Sequence, residues 1–190
     1  MQKQQLNNVH SKFFNTYLSN FSELLLLQKI LIGKLSQIKK IFEEVKKKNK
    51  KIMIFGNGGS ASIANHFSTD ITNINKIRCV NFNESNFITC LANDYGYQNW
   101  VKKSIQYHGD KGDVLIVISS SGNSKNIINA CLEARKKKFS TIITFTGFSS
   151  LNKVKKLGDI NIWINSRNYN FVENIHQILL LSVVDSIKDN

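Results

Sequence analysis

The stretch Val114-Leu-Ile-Val-Ile-Ser-Ser-Ser-Gly-Asn-Ser-Lys125 decides the fold of this chain. Its first five residues are apolar and predict a buried β-strand, whereas the residues from Ser124 onward follow a helical pattern. Hydroxyl side chains and the N-terminus of a helix therefore meet at the carboxyl end of a strand, where open α/β sheets bind their ligands. The candidate ligand-binding hydroxyls are those of Ser119, Ser120, Ser121 and Ser124.

A loop of this kind favours an anion, because free backbone N–H groups and the positive end of the helix dipole point into it. Four hydroxyls with a single nearby lysine, Lys125, suit a phosphate on a small molecule better than a nucleotide pyrophosphate. The other interpretation is a serine-rich turn in which Ser124 caps the helix. The stretch alone does not decide between the two.

Apolar runs and helical patterns alternate along the chain, which predicts an α/β fold with a parallel sheet covered on both faces. The predicted strands cover 51–55, 78–82, 114–118, 141–145 and 160–164. The predicted helices cover 60–72, 86–92, 98–107, 124–138 and 171–188, with a short one near 151–156. We expect one domain over 1–190, with a helical lead-in over 1–49 and an α/β core over 50–190. The lead-in either packs on a partner subunit, which we favour, or covers its own sheet.

The composition restricts the class of protein. The net charge of +13 comes mostly from lysines, so we expect a solvated basic surface that attracts anionic sugar phosphates, and nucleic-acid binding is disfavoured. The N-terminus lacks a signal-peptide pattern, and no apolar run reaches about 18 residues, so we expect no membrane partner. The three scattered cysteines are expected to be buried thiols, and they predict a cytoplasmic protein: Cys79, Cys90 and Cys131.

A second candidate ligand loop follows the first strand and reads Gly56-Asn-Gly-Gly-Ser60. Its glycines allow backbone to approach a ligand closely, but the spacing is not that of a dinucleotide-binding fingerprint. Ser60 can cap the helix that starts there. That helix carries His66 and Asp70 on one face, which indicates acid/base chemistry or two metal ligands. The alternative is an ordinary surface pair.

Three motifs resemble those of the phosphoheptose isomerases, which are sugar-isomerase (SIS) domain proteins. They are Gly56-Asn-Gly-Gly-Ser-Ala-Ser-Ile-Ala-Asn-His-Phe67, Ala92-Asn-Asp-Tyr-Gly96 and Gly112-Asp-Val-Leu-Ile-Val-Ile-Ser-Ser-Ser-Gly-Asn-Ser124. The resemblance implies a three-layer SIS fold with a five-stranded parallel sheet, and a homotetramer with active sites at subunit boundaries. It also implies heptose supply for lipopolysaccharide or capsule.

The implied reaction is aldose–ketose isomerisation of sedoheptulose 7-phosphate through a cis-enediol, with a carboxylate moving the proton. By resemblance, Ser119, Ser121 and Ser124 hold the phosphate and the loop residues Asn57, Gly58, Gly59 and Ser60 close on the sugar. Asp94 matches a family position near the substrate. Several members hold a zinc ion beside the sugar oxygens, so zinc is a candidate cofactor here.

The chain departs from the family pattern at three catalytic positions. The family's catalytic Glu falls on Asp70, its last-helix Gln on Glu173, and its last-helix His on Leu181. His66, Asp70 and Glu173 are therefore candidate metal ligands with an open position. Asp70, Glu173 and His176 are candidate catalytic residues, although the simpler interpretation of His176, which we favour, is structural, since active members carry it as well.

The departures leave three functions open. The first is an isomerase with altered catalytic residues, which we favour. The second is a non-catalytic SIS-domain module that binds a sugar phosphate or a protein. The third is nucleic-acid binding through the basic surface.

Overall fold

We describe a computed structural model of the chain, which covers the backbone of residues 2–187 and the side chains of residues 11–187. The chain divides into two compact units, Met1–Gly33 and Lys34–Asn190. The first unit contains helix α1 (Gln2–Leu27) and a 3-10 turn (Gln28–Leu31). It exposes about 60% of several apolar side chains, including Phe13, Phe14 and Leu18. A single domain over 1–190 stays a prediction.

The second unit is built on a five-stranded parallel sheet, which confirms the predicted fold class. Its strands are β1 (Ile52–Phe55), β2 (Cys79–Val80), β3 (Val114–Ser119), β4 (Thr141–Thr146) and β5 (Ile160–Trp163). They lie in the order β2-β1-β3-β4-β5, and every neighbouring pair is parallel. The predicted strand over 78–82 shortens to two residues because β2 is an edge strand that pairs only with Ile52 and Met53 of β1.

Helices cover both faces of this sheet, as the alternating pattern predicts. They are α2 (Ile32–Lys47), α3 (Gly59–Asn73), α4 (Ser85–Tyr95), α5 (Trp100–His108), α6 (Lys125–Lys136) and α7 (Tyr169–Ser186). The short helix expected near 151–156 is instead a 3-10 turn at Lys155–Leu157. The predicted end of the last helix at residue 188 lies outside the described residues.

Side chains of the central strands alternate between two cores because neighbouring strand residues point to opposite faces. Met53, Phe55, Leu115 and Val117 pack in one cluster with residues of α5 and α6. On the other side, Phe42 of α2 and Phe67 of α3 have ring centroids 5.8 Å apart. Both faces of β3 are buried, which explains why its sequence is a continuous apolar run.

The cysteines are free thiols, and only part of the expectation about them is confirmed. Cys131 is buried, and burial raises the pKa of its thiol to about 12. Cys79 is half-buried, and Cys90 is exposed on α4, where its Sγ lies 3.8 Å from Asp94 Oδ2. The prediction that Cys90 is buried is therefore wrong. Among the described helices, none is both long and apolar enough to cross a membrane.

Candidate functional site

The N-termini of α3, α6 and α7 converge on one pocket of about 200 Å³. Each of these helices follows a strand of the parallel sheet, so their N-termini lie at the same, carboxyl edge. The positive ends of helix dipoles and the free backbone N–H groups there favour an anion. The pocket is lined by Asn57, Ser60, Ile118, Ser119, Ser120, Ser121, Ser124, Tyr169 and Glu173.

The serine hydroxyls in this pocket are largely free to bind a ligand. Ser119 Oγ and Ser124 Oγ lie 3.2 Å apart, and Ser124, although it is the N-cap residue of α6, makes no capping hydrogen bond. Ser120 is buried, and its Oγ has no hydrogen-bond partner among the described residues. A buried hydroxyl without a partner is rare in folded proteins. These contacts favour the anion-binding interpretation of the serine loop over the capping one.

The glycine loop brings backbone close to the same pocket. Gly58 has φ +54°, a left-handed conformation that glycine adopts without strain. A Cβ on Gly59 would lie 2.3 Å from Glu173 Oε2, so any larger residue at this position would displace that carboxylate. Ser60 does not cap α3 as expected: Gly58 is the N-cap, and Ser60 is buried in the first turn, 3.5 Å from Glu173 Oε1.

An amide pair fixes Asn57 in the pocket wall. Asn57 Nδ2 donates to Asn126 Oδ1 at 3.1 Å, and Asn126 Nδ2 donates back to Asn57 Oδ1 at 2.8 Å. The Tyr97 hydroxyl also donates to Asn57 Oδ1, at 3.0 Å. The sequence did not indicate Asn126 or Tyr97 as site residues. Tyr169, which lines the pocket, begins the stretch Tyr169-Asn-Phe171, where the family resemblance implies Thr-Ala-Arg on the substrate side.

His66 and Asp70 form a pair further along α3. Helices α3 and α7 run side by side in the same direction, since Ser60 contacts Glu173 near their N-termini and His66 contacts Gln177 further along both helices. His66 Nε2 lies 3.1 Å from Asp70 Oδ2, and Gln177 Nε2 lies 3.1 Å from His66 Nδ1. The Gln177 amide nitrogen can only donate, so His66 accepts at Nδ1 and donates from Nε2 to Asp70.

The predicted metal ligands are not assembled into one site. Within the described side chains, no three His, Cys, Asp or Glu residues are grouped so that they could hold a metal ion. His66 and Asp70 contact each other, whereas Glu173 lies at Ser60, near the start of α3. Leu181 supplies no donor atom where the family resemblance implies a His. The donor set of a single chain therefore does not fit zinc.

The burial of His176 favours its structural interpretation over that of a catalytic base. His176 is completely buried, and its Nε2 lies 3.1 Å from the carbonyl oxygen of Thr146 at the end of β4. Burial lowers the pKa of its imidazole to about 4. Its side chain does not line the pocket, so it links α7 to the sheet and cannot reach a ligand there.

Asp94 also lies away from the pocket of its own chain. It is exposed on α4, where its Oδ1 accepts a hydrogen bond from the Asn93 side chain at 3.0 Å. Its expected place near the substrate remains a prediction that a single chain does not satisfy.

A larger groove of about 410 Å³ lies at the amino ends of β3 and β4 and is lined partly by α2. That groove contains neither ligand loop.

Comparison with known proteins identifies the class to which this fold and pocket belong. A family model described as "SIS domain" matches residues 16–147. Phosphoheptose isomerase from Buchnera aphidicola subsp. Acyrthosiphon pisum (strain Tuc7) is 32% identical over 193 residues, covering 96% of this chain and 95% of that protein. Phosphoheptose isomerase from Helicobacter pylori (strain HPAG1) is 35% identical over 73% of this chain and 74% of that protein.

Solved structures agree with these relatives. A phosphoheptose isomerase from Neisseria gonorrhoeae superposes with a TM-score of 0.88 at 26% identity, over 93% of this chain and 97% of the other. One from Francisella tularensis gives a TM-score of 0.86 at 25% identity, over 93% and 96%. The chain therefore belongs to the SIS-domain family and, within it, to the phosphoheptose isomerases.

Proposed function

We propose that this protein isomerises a phosphorylated sugar, converting sedoheptulose 7-phosphate to a heptose 7-phosphate. The observation that carries the proposal is the hydroxyl-lined pocket at three helix N-termini, in which the Ser120 hydroxyl is buried without a partner among the described residues. Relatives that match nearly the whole chain are named phosphoheptose isomerases. In the proposed complex, Ser119, Ser120, Ser121 and Ser124 hold the phosphate.

The sugar carbons extend from the phosphate along α3 and α7 towards Asp70. Asp70 comes ten residues after Ser60, which corresponds to about 15 Å along the helix axis. Its side chain tilts back towards the N-terminus of α3 and therefore towards the pocket. This separation favours a long, open-chain sugar, whose reacting carbons lie far from its phosphate. Glu173 contacts Ser60 at the phosphate end and is badly placed to act on those carbons.

We propose that Asp70 is the base that moves the proton between neighbouring carbons through the enediol. His66 donates to Asp70 and is in turn held by Gln177, so both nitrogens of its ring are fixed. His66 thus orients the Asp70 carboxylate, which accepts the proton from one carbon and returns it to the next. A proton passes through solvent from the hydroxyl oxygen of the first carbon to the carbonyl oxygen of the second, which completes the isomerisation. The step requires no external oxidant, because the ketose and the aldose are isomers.

The altered catalytic residues predict a slow enzyme. The aspartate at position 70 is one methylene shorter than the family's glutamate, and a misplacement of about 1 Å can reduce the rate by about 10²-fold. Leu181 cannot transfer a proton, and the loss of a positioned acid/base group reduces the rate by about 10²–10⁴-fold. Zinc has no part in the proposed step, because the described side chains of one chain do not bring its ligands together.

Incubation of the purified protein with sedoheptulose 7-phosphate, followed by chromatography of the sugar phosphates, tests this function. We expect conversion to an aldose phosphate, and we expect the rate of this conversion to fall by at least 10²-fold in Asp70→Asn. Glu43→Gln is the matched control, because Glu43 forms an exposed ion pair with Lys39 on α2, away from the pocket. Lack of turnover across ketose phosphates of five to seven carbons, with and without added zinc, overturns the proposal.

A second candidate is a module that binds a sugar phosphate without converting it. Leu181, half-buried where the family resemblance implies a catalytic His, favours this function. Calorimetry with sedoheptulose 7-phosphate separates the two candidates, since tight binding without turnover supports the module.

We also propose that the protein is a homotetramer with active sites at subunit boundaries. Phe13, Phe14 and Leu18 are each about 60% exposed on α1, and a second copy of the chain is a partner that can cover them. A partner subunit could also bring Asp94 or a further donor to the pocket. Light scattering coupled to size exclusion tests this, with four chains of 21.7 kDa expected.

Metal analysis of the purified protein tests the separate prediction that it binds zinc. Fractionation of cells tests the prediction that the protein is cytoplasmic.

A further inference from the structure

A hydrogen-bonded network joins the glycine loop, the helix after the serine loop and a 3-10 turn beside the pocket. Asn57 belongs to the glycine loop, and Asn126 is the second residue of α6, two positions after Ser124. Tyr97 begins the 3-10 turn Tyr97–Asn99, which precedes α5. Asn57 lines the pocket, whereas Asn126 and Tyr97 do not. A ligand in the pocket therefore reaches only the first member of this network.

The side-chain amide of Asn57 has only an N–H left to offer a ligand. Its Oδ1 accepts one hydrogen bond from Asn126 Nδ2 at 2.8 Å and another from the Tyr97 hydroxyl at 3.0 Å. An amide oxygen has two lone pairs, so both are occupied. Its Nδ2 carries two hydrogens and donates one to Asn126 Oδ1 at 3.1 Å, which leaves the other free. A free N–H suits a phosphate oxygen, whereas an amide oxygen facing the same phosphate would repel it.

Both partners direct their polar groups at Asn57. The side chain of Asn126 is buried, with 2% of the residue exposed, and it bonds only to Asn57 among the described residues. Separation of the two amides would leave buried polar groups without partners, which costs free energy. Tyr97 is 53% exposed, so water can satisfy its hydroxyl, yet the hydroxyl donates to Asn57. The network therefore holds the Asn57 amide in one arrangement.

We propose that Asn126 and Tyr97 are positioning residues that hold the Asn57 amide with its free N–H towards the phosphate of the bound sugar phosphate. The two ligand loops then bind the ligand as one unit, because Asn126 belongs to the helix that follows the serines and Asn57 to the glycine loop. Neither positioning residue touches the ligand, so each acts only through Asn57. The ligand class is that of the proposed function, on which this inference rests.

Tyr97→Phe tests this arrangement with the least disturbance, because it removes one hydroxyl from an exposed ring. The loss frees a lone pair of Asn57 Oδ1, so we expect the dissociation constant of sedoheptulose 7-phosphate, measured by calorimetry, to rise about two- to tenfold. Tyr107→Phe is the matched control, since that ring is 56% exposed and its hydroxyl lies 3.2 Å from the Tyr95 hydroxyl. Neither of those tyrosines lines the pocket, so the control should bind like the wild-type protein.

Asn126→Ala removes both hydrogen bonds of the amide pair, and we expect the dissociation constant to rise about tenfold or more. Asn75→Ala is its matched control. Asn75 is also buried and donates to two backbone carbonyls at the end of α7, so the control loses stability without losing a contact to Asn57. If Asn126→Ala does not fold, Tyr97→Phe decides the matter by itself.

Two readouts separate positioning from a general loss of structure. Loss of folded protein lowers the number of sites in the titration and the apparent kcat, but it leaves the affinity of the remaining sites unchanged. Loss of a contact to the unreacting phosphate raises the dissociation constant and KM, with the number of sites and kcat nearly unchanged. In a double-mutant cycle, Tyr97→Phe should weaken binding no further in an Asn57→Ala background, because it acts only through Asn57.

The outcomes distinguish this inference from the proposed function. Wild-type affinity in Tyr97→Phe, or the same loss of affinity with and without Asn57, overturns the inference and leaves the proposed function intact. Absence of both binding and turnover of sedoheptulose 7-phosphate in the wild-type protein overturns the proposed function, and this inference with it.

Discussion

Replacement of His176 by Gln should remove a specific, calculable part of the acid sensitivity of this protein. His176 is completely buried, and burial lowers its pKa from 6.5 to about 4, opposed by the hydrogen bond to the Thr146 carbonyl. Above pH 6.5 the ring is neutral in both the folded and the unfolded chain. As the pH falls from 6.5 towards 4, His176 is protonated in the unfolded chain but stays neutral in the folded chain. The protein therefore loses stability over this range.

The size of this loss follows from the shift in pKa. One pKa unit corresponds to 1.36 kcal/mol, so the lowered pKa of His176 amounts to about 3 kcal/mol of lost stability once the pH reaches 4. Glutamine can still donate to the Thr146 carbonyl but does not titrate. Between pH 7.5 and 4.5 the free energy of unfolding of the wild-type protein should fall further than that of His176→Gln, by about 2–3 kcal/mol.

Urea unfolding at pH 7.5, 6.5, 5.5 and 4.5, followed by tryptophan fluorescence, measures this difference. Trp100 is buried in the second unit and reports its unfolding. The protein concentration is held constant, because any association of subunits adds to the apparent stability. Carboxylates titrate in both proteins and cancel in the comparison. Parallel pH profiles for the wild-type protein and His176→Gln would refute the reasoning, since they would mean that His176 binds its proton equally in both states.

Three further substitutions probe the pocket and its support. Ser119→Ala removes a hydroxyl from the proposed phosphate pocket, and we expect binding of sedoheptulose 7-phosphate to weaken by about tenfold to 10²-fold by calorimetry, corresponding to about 1.5–3 kcal/mol for a charged hydrogen bond. Gly59→Ala places a methyl group against the Glu173 carboxylate, so kcat/KM should fall at least tenfold, but less in a Glu173→Ala background. Asn75→Ala removes the Nδ2 hydrogen bonds to Val184 and Ile187 carbonyls, and urea unfolding should show a loss of about 2 kcal/mol.

The sequence predicted the sheet well because its signals are local. The apolar run of β3 predicts a buried strand, and the serines that follow it must then lie at the carboxyl edge of the sheet. The structure places both where the sequence predicts. The helix expected near 151–156 is only a 3-10 turn, because so short a segment closes too few backbone hydrogen bonds to form a stable α-helix. The two-residue length of β2 depends on its single neighbour in the sheet, which the pattern of β2 alone does not reveal.

The details of the site depend on contacts between residues far apart in the chain. Ser60 meets Glu173 across 113 positions, so its expected capping role gave way to a tertiary contact. Asn57 and Asn126 are hydrogen-bonded although they are 69 positions apart, and nothing in the sequence around either residue indicates this contact. His176 lies on the same helix as Glu173 but turns towards β4, and helical spacing alone did not determine which face was buried.

Isomerisation of sedoheptulose 7-phosphate in D2O, followed by proton NMR, tests most directly whether this pocket supports enediol chemistry. A carboxylate base exchanges its proton with solvent, so we expect an aldose phosphate that carries deuterium at C2, with the rate lost in Asp70→Asn. An unchanged substrate, or an aldose product that retains only the original hydrogen, would contradict a proton-transferring isomerase built on Asp70.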